Sequence, residues 1–317
     1  MNELYLYPAC SNSDKNKYLH RLSECFVSLG FDVLPWKVAL KSFKFRSGIC
    51  VISWLEDNVG FLDVNPWVAF VKCIIILSAL KIKTKKMIWV RHNLKPHDLV
   101  RATKLYNTLV KILTAVSDVV VTHAENDRVH NSTIIPHHLY SGEKPADTIR
   151  DIDMLYFGVI KKYKGIDRLL GEWPSDKKLI LLGRCDDADL KKRINAAIVE
   201  RDLDVEWRNE FVSDDELNDH ISRSKFVILP HLDETMIVSG AFYHAISFGA
   251  NIILRDGAFA RTCQQRHPFV SVYKPGELQD VIKSIDYVDP HVVMKIASEQ
   301  YGEEACRAAW SRILGQP

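Results

Sequence analysis
The segment from Phe226 to Leu254 constrains the fold most, because it reads as strand, loop, helix and strand in direct succession. Phe226-Val-Ile-Leu229 is a continuous apolar run, the pattern of a parallel strand covered on both faces. A polar loop follows, a helix begins at Ser239-Gly240, Gly249 stops it, and residues 251–254 form the next strand. A small hydroxyl residue and a glycine at a helix start leave the free N–H groups approachable, and together with the helix dipole they favour a bound phosphate. The same two residues also suit an ordinary N-cap.

This alternation extends through the chain. Strands are expected at 4–7, 31–34, 49–53, 87–91, 118–122 and 133–140, with helical spacing at 18–29 and 99–116. A second series follows, with strands at 154–157, 178–182 and 205–208 and helices after 165, at 187–201 and after Ser213. Ser213 and Glu216 have capping-box spacing, and helices at 276–285, 291–299 and 303–314 close the chain. Residues 141–150 have linker composition. The expectation is an α/β chain with two doubly wound, Rossmann-like domains facing a cleft, 1–145 and 146–317.

Charge is unevenly shared. Residues 1–150 hold 20 Lys and Arg against 13 Asp and Glu, and residues 151–317 hold 22 against 27. A basic first half suggests an anionic surface partner. Trp36 to Arg46 interleaves aromatic residues with cations. Trp67 to Leu80 is the most apolar segment, with one lysine, Lys72, and runs into Lys81, Lys83, Lys85 and Lys86. That stretch is too short to span a bilayer, which takes about 20 residues; it suits a helix lying on an anionic membrane, or equally a core helix with a basic end. The N-terminus lacks a signal-peptide pattern, and seven scattered cysteines without C-x-x-C fit reduced thiols, so a cytoplasmic protein is expected.

The absence of G-x-G-x-x-G after the first strand, of a P-loop and of G-x-S-x-G argues against a nicotinamide dehydrogenase, a P-loop enzyme and a hydrolase. No metal-ligand spacing and no nucleic-acid module is present. Two phosphate-binding features remain: Lys161 and Lys164 in the glycine-flanked loop 158–165, and the helix start at Ser239-Gly240.

Phe157-Gly-Val-Ile-Lys-Lys-Tyr-Lys-Gly165, Phe211-Val-Ser-Asp-Asp-Glu-Leu217, Ile228-Leu-Pro230 and Ser239-Gly-Ala…Ala245-Ile-Ser-Phe-Gly249 occur in that order. Together they resemble the donor half of GT-B glycosyltransferases of the glycogen-synthase-like superfamily, closest to bacterial exopolysaccharide, capsule and O-antigen enzymes. In the first half, Ser53-Trp-Leu-Glu56 resembles an HWPE segment and Arg91-His-Asn-Leu-Lys-Pro-His-Asp98 an HN-x-x-PHE loop. The resemblance implies transfer of a sugar from a nucleotide diphosphate donor, UDP- or GDP-linked, to a lipid-diphosphate-linked saccharide. It implies no metal and no further cofactor, and a place at the inner membrane face, where the last helix can pack on the N-terminal domain.

By the same resemblance Lys161 and Lys164 neutralise the donor diphosphate, and the Ser239 and Gly240 amides hold it. Phe211 and Val212 border the base, and His92 sits near the sugar or phosphate. The chain departs from the family at the second of two ribose-binding glutamates: that position is His244, with Glu234 ten residues earlier. Retention is therefore not implied, and an inverting enzyme needs a base, for which Glu56 ranks first, then Asp57 and the His97-Asp98 pair. A UDP-sugar epimerase of the same fold, or a catalytically inactive partner subunit, are the alternatives.

Overall fold
The computed structural model describes residues 2–10, 16–60, 64–95, 102–140, 148–232 and 236–315. In chain order the elements are β1 (Asn2–Tyr7), α1 (Lys17–Ser28), β2 (Phe31–Pro35), α2 (Trp36–Lys41), β3 (Ile49–Ser53), α3 (Pro66–Lys83), β4 (Lys86–Val90), α4 (Thr103–Val116), β5 (Val119–Thr122) and β6 (Thr133–Ile134). There follow β7 (Ile152–Phe157), α5 (Ile166–Glu172), β8 (Leu179–Leu182), α6 (Ala188–Glu200), β9 (Val205–Arg208), α7 (Asp214–Arg223), β10 (Ser224–Leu229) and α8 (Gly240–Ser247). The chain closes with β11 (Asn251–Arg255), α9 (Ala258–Arg266), β12 (Val270–Tyr273), α10 (Leu278–Ser284), α11 (Pro290–Tyr301) and α12 (Glu303–Leu314).

These elements divide into two compact units. The first comprises Met1–His138, Thr235–Val238 and Tyr301–Pro317; the second comprises Leu139–Glu234 and Ser239–Gln300. The first has a six-stranded sheet in the order β2-β1-β3-β4-β5-β6, and the second one in the order β12-β11-β10-β7-β8-β9. Every pairing is parallel. Strand order reverses between β1 and β3 in the first unit and between β7 and β10 in the second. At such a reversal the crossovers leave on opposite faces, and the carboxyl edge opens into a place for a ligand.

The first unit's core is built on two sides of its sheet. One side joins Leu4, Leu6, Leu22, Phe26, Val51 and Ile88 to Cys306, Trp310 and Leu314 of α12. Phe26 and Trp310 meet edge to face at 4.9 Å between centroids. The other side packs Cys50, Ile52 and Trp89 against Cys73, Leu77 and Leu80 of α3 and Leu109 and Leu113 of α4. All five residues of β3 are buried, in keeping with its apolar run Ile49-Cys-Val-Ile52.

Helix ends follow their local chemistry. Asn65 caps α3, accepting from Trp67 and Val68 N–H, with Pro66 at the first helical position. Ser213 caps α7 through Glu216 N–H, but the Glu216 carboxylate pairs with Arg208. Only half of the expected reciprocal box therefore forms. Gly249, at φ +76°, closes α8, and a Cβ there would stand 2.9 Å from Pro290 and Arg150 atoms. Among the described residues no helix is long and apolar enough to cross a membrane.

Candidate functional site
In the second unit, the expected phosphate-binding residues lie on loops leaving the carboxyl ends of β7 and β10. After β7, Gly158 and Ile160 donate from N–H to the carbonyls of Leu182 and Arg184, both at 2.9 Å. Lys162–Lys164 then forms a single 3-10 turn ending at Gly165, with φ +69°. Lys161 is exposed at the start of that turn. Lys162 pairs with Asp187 at 3.2 Å, whereas Lys164 Nζ lies 2.9 Å from His231 Nε2, just beyond β10. The Lys164 ammonium also stands 5.2 Å from the centre of the Tyr163 ring.

The loop after β10 leads to α8. Ser239 occupies the N-cap position and is buried, yet its hydroxyl makes no capping bond. The Tyr140 hydroxyl lies 2.9 Å from where a Cβ on Gly240 would be, so a larger residue would displace the phenol. Burial pushes the Tyr140 hydroxyl up to about 12, which keeps it a donor. His244 is buried and donates from Nε2 to Asn218 Oδ1 of α7 at 2.7 Å. Tyr140, Phe157 and Phe248 surround its ring at 5.3, 5.5 and 5.8 Å between centroids. The imidazole at the expected ribose position is thus bound into the packing of α8 on α7. Phe211, 72% exposed, and Val212 lie on the loop after the edge strand β9. Glu234 lies outside the described residues.

In the first unit, the reversal between β1 and β3 brings together a second set of groups. Trp54, directly after β3, has φ +54°, a strained conformation for a bulky residue. Its ring stacks on His92 at 4.1 Å and 16°. Glu56 is buried in the following 3-10 turn and accepts from Trp89 Nε1 at 3.1 Å. Burial, helped by the neighbouring Asp57 charge, pushes its carboxyl up to about 8. A carboxyl held up in this way keeps its proton near neutral pH, the state of a proton donor. Asp57 is half-buried, its N–H donating to the Trp54 carbonyl at 3.3 Å; His97 and Asp98 lie outside the described residues.

His92 belongs to a cluster that the sequence does not announce. Tyr18, at the start of α1, meets the rings of His92, His123 and His137 at 4.7, 5.3 and 5.1 Å. Its hydroxyl is 2.9 Å from His123 Nε2, and His123 Nδ1 is 2.9 Å from the Ile135 carbonyl oxygen. Burial drives His92 and His137 well below the usual histidine range and His123 to about 4, so all three are neutral imidazoles. His92 Nε2 has no protein partner among the described residues. Each histidine follows the end of a different strand: His92 after β4, His123 after β5, His137 after β6. Aligning strand ends on the sequence would have found them.

The fold is that of known sugar-handling proteins. Anabaena HepE, solved in complex with UDP and glucose, superposes with a TM-score of 0.67 at 14% identity, covering 99% of each chain. Sucrose-phosphate synthase from Thermosynechococcus elongatus gives 0.60 at 13%, over 99% of this chain and 96% of that one. AviGT4, a glycosyltransferase involved in avilamycin A biosynthesis, gives 0.61 at 11%, over 98% and 96%. No family model and no curated protein sequence matches the chain. At these identities the likeness establishes the architecture: the chain has the GT-B fold of two parallel six-stranded α/β units.

Proposed function
We propose that this protein is a glycosyltransferase that takes its sugar from a nucleotide diphosphate donor. The observation that carries the reading is the position of Lys161 and Lys164 on the loop leaving β7, beside Pro230, His231 and Leu232 at the exit of β10, at the reversal of the second sheet. Cationic side chains and free amides there would hold a diphosphate and stabilise the charge that grows on it as the glycosidic bond breaks. UDP bound to a relative of the same fold supports the same ligand class. Phe211 and Val212 would border the base, with Glu234, His244, Ser239 and Gly240 completing the donor site. Glu56, Asp57 and His92 are the first unit's candidates for handling the acceptor hydroxyl.

The acceptor we assign is a lipid-diphosphate-linked saccharide of a bacterial surface polysaccharide, reached from an anionic membrane surface. The support is the outer side of α3, where Trp67 is 66% and Ile75 62% exposed, in line with Val71 and Ile82. Phe43 is 98% exposed, and Lys83 Nζ lies 4.1 Å over the exposed Phe45 ring. Arg46 and Ser47 donate from N–H to the Ile82 and Lys83 carbonyls, which fixes that loop to the end of α3. No acidic residue occurs from 64 to 95. An apolar stripe edged by cations suits the headgroup region of an anionic bilayer.

Thermal-shift titration with UDP-, GDP- and dTDP-sugars, followed by a transfer assay with polyprenyl-diphosphate saccharides, tests the reading. Lys164→Ala should lower turnover by about 10²-fold or more; a near-normal rate would remove the diphosphate role. Turnover of donor alone would favour an epimerase. Stabilisation by donor without any transfer would favour an inactive partner subunit.

A further inference from the structure
Three contacts tie together the loops that leave β7 and β10. The Leu232 N–H donates to the Tyr163 carbonyl at 2.8 Å, and Lys164 Nζ lies 2.9 Å from His231 Nε2. At Gly165, a Cβ would stand 2.7 Å from Leu232 Cγ and 2.8 Å from the Pro230 carbonyl oxygen, so the loops approach at a distance that only glycine allows. The donations from Gly158 and Ile160 anchor the same loop to the exit of β8. The turn that carries Lys164 is therefore pinned to the exits of both strands flanking β7.

The chemistry of the His231 contact is particular. An ammonium group has donors and no acceptor, so Nε2 must present its lone pair and the imidazole must be neutral, with its proton on Nδ1. The contact with Lys162 differs, because there the partner is the Asp187 carboxylate, which opposes the lysine's charge. An imidazole fixes the direction of an ammonium group without contributing a counter-charge. A free lysine side chain has several rotatable bonds to immobilise when it meets an anion, and a prearranged one loses less.

We propose that His231 is a positioning residue: a neutral imidazole that aims the Lys164 ammonium along the carboxyl edge between β7 and β10, ready for the diphosphate of the donor. This assignment rests on the donor-site reading above. It predicts that His231 acts on ligand binding only through Lys164.

The test is a double-mutant cycle on the full chain, with UDP and GDP as probes in isothermal titration and donor KM and kcat in the transfer assay. His231→Leu should weaken binding of the preferred nucleotide about 10-fold, the scale of losing one hydrogen bond to a charged group. It should raise the donor KM more than it lowers kcat, with a melting temperature close to wild type. His231→Gln, which keeps an acceptor, should recover most of the loss. In a Lys164→Met background, His231→Leu should add less than about twofold, because coupled residues do not act independently. His231→Phe, a flat ring without an acceptor, replaces the leucine variant if that one does not fold. Wild-type binding by His231→Leu, or losses that multiply fully in the double variant, would overturn the positioning role while leaving the donor site standing. Unchanged binding of both nucleotides in Lys164→Met would instead remove the donor-site reading, and the positioning role with it.

Discussion

Glu56→Gln separates two consequences of burying a carboxyl group. In the folded protein burial, with the neighbouring Asp57 charge, pushes the Glu56 carboxyl up from an ordinary value of 4.5 to about 8. Between those values the folded state keeps a proton that the unfolded chain releases, so stability falls as pH rises from 4.5 to about 8 and levels off on either side. Between pH 5 and 7 the loss amounts to about 2 to 3 kcal/mol, since one retained proton costs about 1.4 kcal/mol for each pH unit. Glutamine has the shape of the neutral acid and keeps an oxygen for the Trp89 indole N–H, so the substitution should remove this slope without opening a cavity. Urea denaturation of both proteins at pH 5, 6 and 7 is the assay, and the wild-type minus variant difference cancels every other titrating group. The variant should gain on the wild type steadily with pH. A difference that does not change with pH would refute the argument that burial holds the proton on Glu56. If the carboxyl also takes part in transfer, turnover should fall in the variant while its stability at pH 7 does not.

Trp310→Ala should cost about 3 to 5 kcal/mol in the unfolding of the first unit, because it empties a fully buried site against Phe26; a loss under about 1 kcal/mol by chemical denaturation would contradict that packing. Gly165→Ala should destabilise by about 2 kcal/mol or more, combining a left-handed backbone with contact against Leu232 and Pro230, and an unchanged melting temperature would show that the two loops do not meet so closely. Val71→Glu with Ile75→Glu should release the protein from anionic phosphatidylglycerol vesicles without changing its melting temperature, and undiminished co-sedimentation would remove α3 as the membrane face. These positions report more cleanly than the nearby lysines. Lys81 pairs with Asp118, Lys83 donates to the Ser42 carbonyl and Lys86 to the Ile313 carbonyl.

Strands buried on both faces are legible residue by residue: 49–53 coincides with β3, and β10 and β11 extend only slightly past the apolar runs that announce them, while the partly buried edge strand β9 also coincides with 205–208. Where burial is one-sided or the chain turns early, the pattern is weaker. The segment 133–140 pairs only at Thr133–Ile134 before Pro136. The helix Ala258–Arg266 buries only Phe259, Ala260 and Cys263 among polar neighbours, and the edge strand Val270–Tyr273 is four residues long and buried only at its two ends. Neither stands out in the sequence, nor does the short helix Trp36–Lys41. Within the site, Lys161 and Lys164 can be picked out by their glycine-flanked loop. His231 cannot, because it meets Lys164 across 67 residues through a sheet order that no local pattern states. The histidines around Tyr18 each follow a strand end, but their meeting at that ring, with His123 105 residues away, is stated by no local pattern. His244 is visible as a departure, but its engagement with Asn218 of α7 is not.

The place of α12 in the first unit bears on how the molecule can be synthesised. Cys306, Trp310 and Leu314 complete a core whose other members come from residues 4–135. On a translating ribosome, the amino-terminal sheet must wait with Phe26 and its neighbours uncovered until residues 303–314 have emerged. The strands and helices of residues 152–284 can close beforehand, so the unit encoded first is the one finished last.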